Sequence, residues 1–199
     1  MDARMGAICY LCSKSDVRWS NSLFKKQWAG FVFAFLLPIL LVYWWWGGFS
    51  TVILSEGKGG PYHYAYVEHT GDLAKLAEKQ QSAYRELRTQ GIEAGKAITV
   101  LYDDPRTVKK SELRSRTGYL IPENAKVTAP LKIGDIPERT VVTATVKAGM
   151  LLAPSKAYKA LDDYLKSHHQ TIRMPTVELY EAGDQAYKTG TLTVEMNAN

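Results

Sequence analysis

Cysteine is almost absent from this chain. Cys9 and Cys12 are the only two, in a single C-x-x-C near the start, and the remaining sequence has none. That excludes a disulfide framework for the main body, and a lone pair cannot fill a four-ligand zinc site. No strand–turn–helix context gives the pair a redox role, so it reads as an incidental tail feature, with lipidation as the alternative. Catalytic signatures are missing as well: there is no G-x-S-x-G, no H-E-x-x-H and no phosphate loop. The histidines, His63, His69, His168 and His169, form no ligand cluster, so neither a metal nor a cofactor is expected. A basic stripe interleaved with aromatics is also lacking. The formal charge of +5 gathers instead at Arg4, Lys14, Arg18, Lys25 and Lys26, and acids and bases nearly balance beyond residue 60. Nucleic acid is therefore not an expected partner.

What is present is enough for one ordinary domain and an appendage: 199 residues, 46% hydrophobic and 23% charged. Trp28 to Trp46 carries no charge and has about the 20 apolar residues of a bilayer-crossing helix. Lys25 and Lys26 flank one end, and Tyr43 with Trp44, Trp45 and Trp46 suits an interfacial belt at the other. Pro38 is tolerable in such a helix. A cleaved signal peptide fits less well, because no small-x-small site follows the tryptophans. The reading is a basic tail over 1–27, a transmembrane helix over 28–46, a glycine-bearing connector over 47–60 whose short apolar piece, Thr51 to Leu54, is placed to pair with the domain, and a domain over 61–199. The positive flank predicts a single-pass membrane protein with the domain outside the cytoplasm, periplasmic in a bacterium.

Along the domain, Tyr62, Tyr64 and Tyr66 alternate with His63, Ala65 and Val67 at the period of a strand, ended by Gly71. Asp72 is placed to cap a helix reaching Gln90, with Gly91 as its stop. Leu73, Leu76, Ala77, Gln80, Tyr84 and Leu87 would share its inner face. Two strands follow, Ile98–Tyr102 and Leu113–Ile121, separated by the turn-forming Asp103-Asp104-Pro105. Residues 123–137 read as a loop. The pattern then recurs: a strand over Arg139–Ala148, a helix opened by Pro154 with Ala157, Tyr158, Leu161 and Leu165 on one face, and strands over Pro175–Glu181 and Tyr187–Met196. Both halves read strand–helix–strand–strand. This predicts an α+β fold in which duplicated units form an antiparallel sheet backed by two helices. Laying Val100-Leu101-Tyr102-Asp103 over Glu178-Leu179-Tyr180-Glu181 aligns the strand after each helix.

The hairpin with Tyr102-Asp103-Asp104-Pro105 followed by Glu112-Leu113-Arg114 resembles the GyrI-like small-molecule-binding family, also called the bacterial effector-binding domain. Pro175, Glu178 and Tyr180 match its Pro-x-x-Glu-x-Tyr motif. The chain departs from the family where the second half opens, at Ile136-Pro137-Glu138-Arg139, and before the second helix, where Met150 to Pro154 lacks a Gly-Pro. The resemblance implies a cleft between the halves that takes a small amphipathic or cationic ligand, with a glutamate as counter-charge.

Glu178 is the residue to which the motif points. Alternation places Glu178 and Tyr180 on one face of their strand and Val177 and Leu179 on the other. If Val177 and Leu179 face the helices, Glu178 and Tyr180 look into the cleft. Tyr180, Tyr119, Tyr102, Tyr66 and Tyr64 are the candidate aromatic walls, able to hold a lipophilic cation through cation–π attraction. The plain alternative for Glu178 is a solvated or cross-strand-paired carboxylate. Asp103 and Asp104 read as turn formers and not as a catalytic pair, His69 as a strand-end hydrogen-bonder, and His168-His169 as solvated or bonded to helix-end carbonyls. Nothing in the sequence demands an enzyme. The runner-up reading is a GyrI-like hydrolase acting on strained or cytotoxic small molecules, with Glu178 as base helped by Tyr119 or His69. Docking of a protein partner in the same cleft is the other binding reading.

Overall fold

A computed structural model describes residues 21–183 and 189–198, with the side chains of 21–27 and 29 set aside. The basic tail with Cys9 and Cys12 lies outside the described residues. The chain divides into two compact units, one ending at Leu41 and the other running from Val42 onward.

The first helix, α1, spans Asn21–Trp45 and contains Pro38. Its described side chains are apolar and exposed, among them Trp28, Phe31, Phe33 and Phe35. Among the described residues, however, no helix is long and apolar enough to cross a membrane. This overturns the expected anchor over 28–46 and the extracytoplasmic location derived from it.

The second unit is an antiparallel sheet with two helices. Its strands are β1 (Val52–Gly59), β2 (Tyr62–Thr70), β3 (Ala97–Leu101), β4 (Arg114–Leu120), β5 (Lys132–Ile136), β6 (Arg139–Ala148), β7 (Thr176–Glu181) and β8 (Gly190–Asn197). They lie in the order β1-β6-β8-β7-β3-β4-β2-β5. The helices are α2 (Leu76–Thr89) and α3 (Ala153–Ser167). The duplicated α+β plan is therefore present: β2-α2-β3-β4 is answered by β6-α3-β7-β8, and β3 pairs with β7 along the seam.

The pairing expected of the apolar piece Thr51–Leu54 is present and runs further than expected: β1 pairs with β6 from Val52 opposite Val146 to Gly59 opposite Arg139. The loop over 123–137 holds β5, which pairs with β2. Neither has a continuous apolar run, because each is an outermost strand with much of its length in solvent. The Asp103-Asp104 turn reading holds: Asp104 Oδ1 accepts from the Arg106 amide at 2.8 Å, and Asp103 Oδ2 accepts from the Arg114 amide at 2.9 Å.

Asp72 caps a turn of 3-10 helix, Leu73–Lys75, by accepting from the Ala74 amide, and α2 continues from it. Residues buried under α2 are Ala83 and Leu87, whereas Ala77 and Tyr84 are exposed, so the buried stripe is rotated from the one expected. Under α3 the expected face holds: Ala153, Ala157, Leu161 and Leu165 pack on Val142, Ala144, Val146, Leu192 and Val194. Pro154 stands in its first turn, where a missing N–H costs nothing. At its far end His168 Nδ1 lies 2.9 Å from the Tyr164 carbonyl, as the helix-end reading expected.

Truncating Leu87 to Ala should cost about 2–5 kcal/mol of folding stability, because it opens a cavity beneath α2. Tyr84→Ala, although both positions were expected on the inner face, should cost well under that. Urea denaturation of the two variants checks which stripe of α2 is buried.

Candidate functional site

The two helices leave a strip of sheet between them, and the β3–β7 seam runs along its floor. Register decides what stands there. Thr99 lies opposite Glu178, and Ala97 opposite Tyr180. On the next strands Thr117 lies opposite Thr99, and Tyr119 opposite Ala97. Across an antiparallel ladder, directly opposed residues project to the same face. Ala65, paired with Tyr119, packs against Ala83 and Leu87 of α2, while Val194, paired with Glu178, packs against α3. The row through Glu178 therefore faces the helices. Val177 and Leu179 instead belong to a cluster on the opposite face with Ile98 and Val100. The conditional reading that turned Val177 and Leu179 toward the helices is reversed.

Glu178 lines two adjoining cavities. The larger, about 480 Å³, lies toward the Asp104 turn and α3. Its walls include Leu73, Leu101, Pro105, Ile172 and Met174, with Tyr158 and Glu178 as its inner polar groups. The Tyr158 hydroxyl donates to Glu178 Oε1 at 2.8 Å and lies 2.8 Å from Thr176 Oγ1. Burial pushes the Glu178 carboxyl above the usual carboxylate range, more than the Tyr158 hydrogen bond draws it down. Tyr158 is itself pushed well up, by burial first and then by the charge of Glu178. Among the described residues no lysine or arginine pairs with Glu178. The cations nearest the mouth have other partners: Arg106 is held by Asp104 at 2.8 Å and Asp162 at 3.1 Å, and Lys159 by Asp163 at 2.7 Å.

The structure divides the expected aromatic walls. Tyr180 and Tyr119 stand on the helix side and line a cavity of about 380 Å³ beyond Glu178. Tyr180 lies back across Gly190, where a Cβ would meet its hydroxyl and the Glu181 carbonyl. Tyr64, Tyr66 and Tyr102 are on the far face of the sheet. There the cation–π partner is the protein's own Arg116, whose guanidinium carbon lies 4.5 Å from the Tyr66 ring centroid and 5.3 Å from that of Tyr102. His69 is also apart from the cleft's centre, its Nε2 3.0 Å from the Asp72 carbonyl.

Two contributors were missed by sequence reasoning. Tyr158 was read only as part of a helical stripe, although its hydroxyl is the hydrogen-bonding partner of Glu178. Met150, which lines the cavities on the Tyr180 side, carried no signal beyond its place before Pro154.

Comparison with known proteins bears on the fold. No curated protein matches the chain. Among solved structures, the EcmrR C-terminal domain is similar at a TM-score of 0.55 and 16% identity, covering 74% of this chain and 96% of that one. SAV2435 bound to tetraphenylphosphonium is similar at a TM-score of 0.52 and 13% identity, covering 73% and 93%. An integron cassette protein from the mobile metagenome of Vibrio cholerae is similar at 0.53 and 8%, covering 74% and 97%. At these identities the likeness is one of fold. The sequence profile of the GyrI-like small molecule binding domain matches residues 60–196, and the chain belongs to that family.

Proposed function

We propose that the cleft between α2 and α3 binds a small amphipathic or cationic molecule, with the Glu178 carboxylate as its counter-charge. The observation that carries this is a carboxylate at the foot of a mostly apolar cavity, bonded to a tyrosine hydroxyl and paired with no cation among the described residues. A desolvated, uncompensated carboxylate is costly to the fold unless a cation relieves it. The apolar walls favour a ligand that brings lipophilic surface with its charge. The similar SAV2435 is bound to tetraphenylphosphonium, a cation of that kind. Tyr158 orients the carboxylate and takes one lone pair, leaving the second oxygen for the ligand.

Titration of the full chain with tetraphenylphosphonium tests this. Charge-assisted contacts contribute about 1.5–3 kcal/mol, so Glu178→Gln should weaken binding roughly ten- to a hundredfold. Neutral triphenylphosphine oxide should be nearly indifferent to the change. Equal losses for both compounds, or none, would overturn the reading.

The raised carboxyl also predicts a pH dependence. Tetraphenylphosphonium binding should weaken as pH falls through the raised value, at a higher pH than for an ordinary glutamate. For stability the sign is opposite. Between the unfolded pKa of about 4.3 and the raised folded value, the native state binds the extra proton, so stability falls as pH rises. Glu178→Gln should therefore stabilise the protein at neutral pH, and the difference should vanish below about pH 4. Thermal unfolding across pH reads both.

Tyr158→Phe removes the one contact that lowers the Glu178 pKa. The binding midpoint in pH should move upward, while Glu178→Gln in the same background should abolish the pH dependence.

A further inference from the structure

Three cavities stand in line along the seam, and Glu178 is at the junction. The large aliphatic one and a small one of about 60 Å³ share Glu178 and Pro154 as walls. The small one and the cavity of about 380 Å³ share Gln80, Ala97, Met150 and Tyr180. Of the residues around the small cavity, Glu178 is the one that carries a charge. The chambers on either side differ in chemistry. One has apolar walls of Leu73, Leu101, Ile172, Met174 and two prolines, with Tyr158 and the mutually paired Asp104, Arg106 and Asp162 also among its lining residues. The other has two tyrosine rings, Tyr119 and Tyr180, with the Lys96–Glu181 ion pair at 2.8 Å among its lining residues.

Building on the ligand-binding reading above, we infer that the site is bipartite. It selects elongated cations whose charge lies between an aliphatic arm and an aromatic arm, and Met150 with Tyr180 forms the selective wall of the aromatic side. Size carries the argument. A cavity of roughly 150 Å³ is known to take benzene, and the middle space, at about 60 Å³, suits a slender charged centre better than a ring. Each flanking chamber is ample for an arm. A chain of methylenes gains most from the aliphatic side, and a flat ring gains most against Tyr119 and Tyr180. Met150 is half exposed at 48%, unbranched and adaptable, so it can fit rings of different outline. A compact cation with no second arm leaves one chamber unused.

Benzyldimethyldodecylammonium and dodecyltrimethylammonium differ only by the aromatic arm. Both are titrated into the full chain below micelle-forming concentrations, with thermal unfolding recorded for each variant. The wild type should prefer the benzyl compound by about tenfold. Met150→Trp, which fills the aromatic side, and Tyr180→Ala, which removes one ring, should each bring that ratio close to one. Glu178→Gln should weaken both compounds and leave the ratio standing. Equal affinities in the wild type, or a preference that survives both Met150→Trp and Tyr180→Ala, would overturn the bipartite site. Loss of both compounds in Glu178→Gln together with equal wild-type affinities would overturn it while sparing the counter-charge role. Indifference of both compounds to Glu178→Gln would overturn the counter-charge role itself, and the bipartite reading with it.

Discussion

The structure depends on the pairing of β3 with β7, in which Thr99 stands opposite Glu178. This ladder joins the two halves and is the floor of the cleft between their helices. Its register is held from both sides. Ile98, Val100 and Val177 are buried on the far face, and the Thr99 and Thr117 hydroxyls lie 3.0 Å apart on the near one. A slip of one residue would carry every side chain of β7 to the other face. Glu178 would then replace Val177 in an apolar cluster, and Val177 would stand in the cleft. Burial on both faces is what prevents that exchange.

The far face shows what the sheet does with charge where no ligand site is built. Arg116 is stacked on Tyr66 and Tyr102, and the buried Glu195 is bonded to Arg139 at 3.0 Å and to the Tyr62 hydroxyl. Burial and the Glu195 hydrogen bond together push the Tyr62 hydroxyl up to about 12. Both of these charged groups, Arg116 and Glu195, have partners within the chain. Glu178 differs on this point, being satisfied by a neutral hydroxyl alone. Two carboxylates on adjacent strands, the buried Glu195 compensated by an arginine and the partly buried Glu178 by a tyrosine, mark which face is internal structure and which is open to chemistry.

Tyr158 and Thr176 show how the duplicated plan is put to use. α3 packs on its sheet through Ala157, Leu161 and Leu165, and the residue next to Ala157 on that stripe reaches the seam. The helix therefore both covers the core and orients the carboxylate. The corresponding side of α2 presents Gln80 instead, a neutral wall. The two halves thus share a fold without sharing a site, and the asymmetry lies in side chains that the common pattern does not require.

Hydrophobic periodicity by itself determined most of the elements, because a strand repeating every second residue and a helix every 3.6 leave different imprints. It determined that Glu178 and Tyr180 share a face and that the halves repeat, while the chemistry of Asp103-Asp104-Pro105 determined the turn. Periodicity did not determine which face the helices cover. Alternation defines two faces and labels neither, and here both sides of β3 are buried. The overlay of Val100 on Glu178 put Tyr102 in the place of Tyr180. The observed register sets Thr99 opposite Glu178, so Val100 and Tyr102 look the other way and the matching position is Leu101. The outer strand β5, and the polar end of β1 beyond Leu54, were illegible for a related reason: half solvated, they need no apolar run, and their pairing is written in β2 and β6. Only the tertiary structure could bring Tyr158, 20 residues before Glu178 in sequence, within 2.8 Å of its carboxylate. That contact depends on where a helix lands on a sheet, which no local pattern encodes.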